Sequence, residues 1–341
     1  MKTHFYDNAW HAGTGAELSA TSSTNNQEIW RGNAAAQEQV NAAIESARAG
    51  FKTWSRTPYG EREAIVKRYQ EVLKSRQDEI AATIALDVGK PLWEAKTEAG
   101  AMVGKIDLSI SSYQQRTGTN VQEGAAFTTA LTHRPHGVMI VLGPYNFPGH
   151  LPNGHIVPAL LAGNTIVHKP SEYTPLVGQL LIECMAEAGF PKGVINLTQG
   201  DGLTGMMLTK HEDVDGVLFT GSTRTGIALH KQFAGQPGKM LALEMGGNNP
   251  LIVYQNKDHK AAVYHTIQSA FITSGQRCTC SRRLIVVDDA QGHAYVDALT
   301  KGLSGITAAL PQDNGNAFMG PVVHNRIADQ LMIAQDSLIK G

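Results

Sequence analysis

The sequence predicts an α/β protein: a parallel sheet covered by helices on both faces, followed by a second, smaller α/β unit. Two observations carry this. From Gly137 onward, apolar runs of about four residues alternate with helix-length segments, the pattern of strands buried on both faces. After Gly246-Gly247 the same alternation starts again, which marks a second unit.

Taken in order, residues 1–33 are polar and turn-rich and are expected to form a short edge hairpin. Ala34–Arg56 and Gly60–Val88 place apolar residues at helical spacing, as in Ile65, Tyr69, Val72 and Leu73. Gly89-Lys90-Pro91 stops one helix and starts another, since proline suits a first turn; that helix is expected to reach Tyr113. Residues 117–134 read as an excursion from the main domain, with a weakly alternating, exposed strand over Ala125–His133. Strands are then expected at Val138–Leu142, Thr165–His168, Val194–Leu197, Val217–Phe219 and Met240–Leu243. Helices are expected between them at Pro152–Ala162, Pro175–Ala188, Gly202–Leu208 and Arg224–Phe233. This is a doubly wound, Rossmann-like arrangement. The second unit repeats it with strands at Leu251–Tyr254 and Leu284–Val287 and helices at Ala261–Thr273 and Gln291–Leu303. Arg326–Lys340 reads as an amphipathic helix with no strand after it before Gly341. A parallel α/β unit needs its returning strand, so the second domain is expected to be incomplete. The expected division is 1–116 with 135–244, the excursion 117–134, and 245–341.

Composition narrows the function classes. In 341 residues, 42% hydrophobic and 17% charged content are those of a globular protein with ample core. A net charge of −1 gives no reason to expect nucleic acid as a partner. No apolar run reaches the roughly 18 residues a membrane span needs. The three cysteines, Cys184, Cys278 and Cys280, are too few for a disulfide framework and suit a reducing compartment. No apolar signal segment follows Met1, so a cytoplasmic location is expected.

The chemistry concentrates in Leu243–Cys280. A carboxylate, Glu244, ends an apolar strand and is followed by Gly246-Gly247; a helix-length segment later, Cys278 follows Gly275-Gln276-Arg277. A thiol and a carboxylate brought together suit covalent catalysis at a carbonyl, with a soft nucleophile and a base that activates water. Cys278 and Cys280 also form a C-x-C pair, but with no second cysteine pair a thiolate zinc site is not expected, and no metal is assigned. Phe219-Thr220-Gly221-Ser222-Thr223-Arg224-Thr225-Gly226 follows a strand and opens a helix, as a phosphate-approaching loop or as a plain strand–turn–helix. His168-Lys169-Pro170-Ser171-Glu172 ends another strand, and Gly143-Pro144-Tyr145-Asn146-Phe147-Pro148 forms a loop in which Asn146 is a turn residue or an amide donor.

Together these motifs resemble those of the NAD(P)-dependent aldehyde dehydrogenases. LEMGGNNP and GQRC are similar to the family's general-base and nucleophile signatures, and GPYNFP to its PWNFP loop with tyrosine for tryptophan. The resemblance implies Cys278 as nucleophile, Glu244 as base, and Asn146 with the Cys278 N–H as oxyanion donors. It further implies a nucleotide loop over Gly221, Ser222, Thr223, Arg224, Thr225 and Gly226. Lys169 and Glu172 would hold the adenosine ribose; the carboxylate disfavours a 2′-phosphate and points to NAD. Asp87 to Glu94 is similar to the ExGKPxxEA motif and is assigned a structural role. Within the family, Pro148–Pro158 resembles the branch that oxidises a succinylated amino-acid semialdehyde with NAD and water. Its tunnel would be lined by His150, Leu151 and Gly154, with His150 as a donor to a substrate carboxylate; a helix start and a solvated turn is the other reading of these residues. Another semialdehyde dehydrogenase, or an inactive dinucleotide-binding remnant, stays open. The family also implies a homo-oligomer built through the 117–134 excursion, and a longer second half of the catalytic domain than the sequence contains.

Overall fold

The computed structural model describes residues 2–310 and 317–340. Strands β1 (Lys2–Tyr6) and β2 (Ala9–Ala12) form one hairpin, and β3 (Glu17–Thr21) and β4 (Glu28–Asn33) a second. Helices α1 (Gln37–Trp54), α2 (Tyr59–Ser75), α3 (Gln77–Val88) and α4 (Leu92–Arg116) follow, then the hairpin β5 (Thr119–Glu123) and β6 (Thr128–Thr132). The alternating region runs β7 (Val138–Leu142), α5 (His150–Leu161), β8 (Thr165–Lys169), α6 (Pro175–Glu187), β9 (Ile195–Leu197), α7 (Gly202–Lys210), β10 (Gly216–Gly221), α8 (Thr223–Phe233) and β11 (Met240–Met245). Beyond it lie β12 (Asn249–Val253), α9 (His259–Phe271), a 3₁₀ turn over Ile272–Gly275, β13 (Ser281–Val286), α10 (Ala290–Leu303) and α11 (Asn325–Lys340).

Three local expectations change. Residues before Ala34 form two hairpins rather than one, and Phe5 of β1 pairs with Leu197 of β9, so the first hairpin extends the main sheet. The helical stretch over Gly60–Val88 breaks at Arg76, whose backbone is non-helical at φ −103° and ψ 15°. The excursion is a complete antiparallel hairpin with every strand residue exposed, not a single weak strand.

The main sheet has the order β11-β10-β7-β8-β9-β1-β2. Its first five strands are parallel; β1 and β2 close the far edge antiparallel. Strand β7 shows why the sheet is buried on both faces. Met139 and Val141 enter the core cluster shared with Ile106, Ile156 and Leu73, whereas Val138, Ile140 and Leu142 enter the one with Ile44, Phe219 and Leu229. Successive strand side chains point to opposite faces, so a two-faced strand must be apolar throughout. Each such buried side chain stabilises by about 1.5–3 kcal/mol.

The strand order decides where the site lies. The chain runs from β7 outward through β8 to β9, then returns to the other side of β7 as β10 and β11. The connections leaving the carboxyl ends of β7 and β10 therefore part in opposite directions and open a crevice, the position where doubly wound sheets bind ligands.

The last unit is thinner. Strands β12 and β13 form a separate parallel pair with Leu251 opposite Leu284. Helices α9 and α10 pack together through Thr266 and Tyr295, whose hydroxyls lie 2.6 Å apart. Ile252 and Ile285 are exposed, and α11 buries no residue.

Candidate active site

A cleft of about 980 Å³ occupies this crevice, and residues from both units line it. The loop after β7 supplies Gly143, Tyr145 and Asn146; α5 supplies His150, Leu151, Gly154 and His155. The end of β11 supplies Glu244, and the segment before β13 supplies Gln276, Arg277 and Cys278. Cys278 and Glu244 are both exposed to the cleft side of the chain, while Cys280 is a buried wall residue at 1% exposure. The third cysteine, Cys184, is buried in α6, and burial pushes its thiol up to about 12. Among the described residues no group of His, Cys, Asp and Glu has the arrangement of a metal site.

The Cys278 loop is held by its carbonyls. Asn249 Nδ2 donates to Cys278 O at 2.7 Å and to Cys280 O at 3.0 Å. Arg282 donates to Gly275 O at 2.8 Å and to Arg277 O at 3.0 Å. Asn146 Nδ2 donates to Gln276 O at 2.6 Å, and Asn146 Oδ1 accepts from Phe147 N at 3.0 Å. The loop after β7 is thus joined directly to the loop that carries the thiol. One amide hydrogen of Asn146 is engaged in this way, and the second is free to serve another acceptor.

A strained turn precedes the thiol. Thr273, Ser274 and Gly275 all have positive φ, at 56°, 54° and 72°. For the two non-glycine residues this conformation costs roughly 1–2 kcal/mol each. Side chains from α4 offset it. Glu94 accepts from the Thr273 hydroxyl and, at 2.8 Å, from Arg277 Nη2, and Arg277 Nε donates to Thr273 Oγ1 at 2.6 Å. One turn along α4, Glu98 pairs with Lys90 at 2.6 Å with both side chains buried. Its other oxygen accepts from Gly149 N at 3.0 Å and His150 N at 3.2 Å, at the start of α5. Lys90 Nζ also lies 3.5 Å from the Phe147 ring centroid, and the Arg277 guanidinium 4.8 Å from it. The segment read from sequence as structural therefore braces both the Asn146 loop and the Cys278 loop.

Inside the cleft, His155 Nε2 lies 2.9 Å from Thr220 Oγ1. Burial holds this imidazole below its ordinary value, with the Glu244 carboxylate opposing and the Lys105 ammonium adding to the effect. Burial and then Lys105 lower His150 in the same way. Its Nδ1 is buried without a hydrogen-bond partner.

On the other side of the cleft, Lys169 is buried and donates to Pro170 O at 2.8 Å and Gly200 O at 2.7 Å, leaving one ammonium hydrogen. Burial lowers its pKa, opposed by Glu172 and Asp201. Glu172 is exposed at the cleft wall. Ser222 caps α8, its Oγ accepting from Thr225 N at 3.2 Å. Gly221, Ser222 and Thr225 line the cleft; Thr223, Arg224 and Gly226 do not. Gly226 is buried, and a Cβ there would meet Met245 Sδ at 2.2 Å, so this glycine serves the close approach of α8 to β11 beside Glu244.

Sequence reasoning missed Lys105 and Arg282, whose residue types look like ordinary helix and strand surface, and left His155, Asn249, Gln276 and Arg277 without roles inside motifs it had quoted.

Residues 10–340 match the aldehyde dehydrogenase family. The chain belongs to this family. It is 50% identical over 337 residues to N-succinylglutamate 5-semialdehyde dehydrogenases of Vibrio cholerae serotype O1, covering 98% of this chain and 70% of those proteins. Among solved structures it is similar to the betaine aldehyde dehydrogenase of Staphylococcus aureus in complex with NAD+, with a TM-score of 0.92, 27% identity, and 98% and 67% of the two chains covered. It is also similar to the NADP-dependent glyceraldehyde-3-phosphate dehydrogenase of Bacillus halodurans C-125 complexed with NADP, with a TM-score of 0.89, 28% identity, and 96% and 69% covered. No helix among the described residues is long and apolar enough to cross a membrane.

Proposed function

We propose that this aldehyde dehydrogenase oxidises N-succinylglutamate 5-semialdehyde to N-succinylglutamate with NAD and water, through a thioester on Cys278. The observation that carries the chemistry is the single cleft shared by Cys278, Glu244 and Asn146. The identity to the Vibrio enzymes of that name supports the substrate.

The cofactor side fits NAD. Glu172 offers a carboxylate at the cleft wall for ribose hydroxyls and repels a 2′-phosphate; Lys169 keeps one donor; the start of α8 presents Gly221 and Ser222 to a phosphate. Bound there, NAD supplies the hydride acceptor. The Cys278 thiolate adds to the aldehyde carbon, and the free hydrogen of the Asn146 amide, with the Cys278 N–H, stabilises the developing oxyanion. After oxidation the acyl group is held as a thioester on Cys278. Glu244 takes a proton from water, hydroxide attacks the thioester carbonyl, and the Cys278 thiolate leaves.

In this reading 1–116 with 135–244 is the NAD-binding unit and 245–341 the catalytic unit. The exposed β5–β6 hairpin, with Val121, Phe127 and Leu131 uncovered, would meet a second copy of the chain.

Initial-rate measurement of NADH formation tests the substrate assignment. N-succinylglutamate semialdehyde should show a higher kcat/KM than succinic semialdehyde or hexanal, and NAD should be preferred to NADP. Equal kcat/KM values for the three aldehydes would remove the assignment.

A further inference from the structure

Lys105 stands apart from the other half-buried or buried lysines around the cleft. Lys90 has Glu98 as a counter-charge, and Lys169 has two carbonyls. Lys105 lines the cleft from α4 and is half-buried, yet among the described residues its ammonium has no ion pair or hydrogen bond. A cation drawn partly out of water without a partner favours an anion arriving at that place.

Its position follows from α5. A Cβ built on Gly154 would meet Lys105 Cε at 2.9 Å and lie 3.5 Å from Nζ. The missing side chain at Gly154 is therefore the space the lysine occupies. Pro158, four residues on, has no N–H to give the Gly154 carbonyl, so the helix is open at this turn. The Gly154 contact sets Lys105 on the α5 side of the cleft, beside the His150 and His155 that line it, and its charge helps to lower both imidazoles. The cofactor side, at Lys169, Glu172 and Ser222, is formed by other elements.

We propose that Lys105, seated over Gly154, is the cation that binds a carboxylate of the substrate and so selects carboxylated semialdehydes over neutral aldehydes. This deepens the proposed function and rests on it for the identity of the substrate. In N-succinylglutamate semialdehyde the α-carboxylate lies a few carbon–carbon bonds from the aldehyde carbon, a reach suited to a flexible ammonium on the cleft wall. His150, the donor singled out in the sequence, contributes a neutral imidazole; the full positive charge is that of Lys105.

The test compares the protein with its Lys105→Met and Lys105→Arg variants, on N-succinylglutamate semialdehyde and on hexanal. Loss of a charge-assisted hydrogen bond should raise KM for the carboxylated substrate by roughly 10- to 100-fold in Lys105→Met. Its kcat/KM for hexanal should stay within about 3-fold, as for a surface-type change without a lost partner. Lys105→Arg, which keeps the charge, should recover most of the loss. Calorimetric titration of glutarate, a plain dicarboxylate, should show weakened binding to Lys105→Met alone. Equal loss on both aldehydes, or an unchanged KM for the carboxylated one, would overturn the role of Lys105. A protein that shows no preference for N-succinylglutamate semialdehyde would instead refute the substrate assignment; glutarate binding then decides Lys105 by itself, and equal affinity in both proteins ends the idea.

Discussion

In the proposed reaction Cys278 and Glu244 divide the work between them, and single substitutions separate the two halves. Cys278→Ala removes the only cysteine thiol lining the cleft and should abolish oxidation and any ester hydrolysis. Glu244→Gln keeps the shape but removes the proposed base, which should slow thioester hydrolysis by roughly 10²–10⁴-fold. Rapid mixing of Glu244→Gln with substrate and NAD should then show a stoichiometric burst of NADH followed by slow turnover. Absence of the burst would place Glu244 before hydride transfer. Gly226 offers a steric counterpart. Its missing Cβ makes room for Met245, so Gly226→Ala should overpack the α8–β11 contact and cost about 1–3 kcal/mol. Chemical denaturation measures that loss, and a neutral result would mean that Met245 swings aside.

Between elements, α4 is the brace of the site. The Glu98–Lys90 pair is buried and also caps α5, so Glu98→Ala strands an ammonium and two backbone N–H groups. Breaking such a pair costs about 3–5 kcal/mol. A melting temperature within a degree or so of the parent would contradict this. Asp87 joins α3 to α6 in a comparable way, accepting from Val177 N at 2.8 Å with its other oxygen unpartnered. Burial raises this carboxyl from 3.8 to about 8. The folded protein therefore holds its proton where the unfolded chain has lost it. The stability this group supplies is complete below 3.8 and is lost as pH rises toward 8. His4 and His168 act in the opposite sense, because burial lowers both from 6.5 to about 4 and their contribution is lost on acidification. Urea unfolding of Asp87→Asn and the parent, at about pH 5 and about pH 9, isolates the carboxyl. The variant should gain on the parent at the higher pH; parallel profiles would show that Asp87 is ionised in the folded state.

Across the whole molecule, stability is uneven. Strands β7 and β8 are buried throughout, whereas β12 and β13 form a two-stranded pair that exposes Ile252, Leu284 and Ile285. A two-stranded sheet is marginal by itself and draws its stability from what packs on it. Amides of β12 and β13 should therefore exchange with deuterium by local opening, well before those of β7 and β8, which need global unfolding. Mass-spectrometric exchange that found the two sheets equally protected would refute this. The Cys278 loop joins the two regions: Asn249 and Arg282 come from the thin sheet, Glu94 from α4 and Asn146 from the loop after β7.

The local pattern was legible without coordinates because it is set by short-range physics. Unbroken apolar runs located β7, β8 and β10, helical spacing located the helices between them, and Gly143 and Gly221 marked the ends of β7 and β10. Cys278, Glu244 and Asn146 were singled out by another signal, the resemblance of the motifs that carry them to those of the aldehyde dehydrogenases, and all three line one cleft. Side-chain partnerships across long sequence separations left no such trace. Nothing in the spacing of α4 says that Glu94 meets Arg277, that Glu98 caps α5, or that Lys105 fills the space above Gly154. The sheet order was equally hidden, since β10 could have been added beyond β9 with the same local pattern. Only the packed structure places β10 against β7, and that return is what opens the crevice. The residue types and their local geometry came from the sequence; which of them share one cleft depended on how helices and strands pack over distances the sequence does not encode locally.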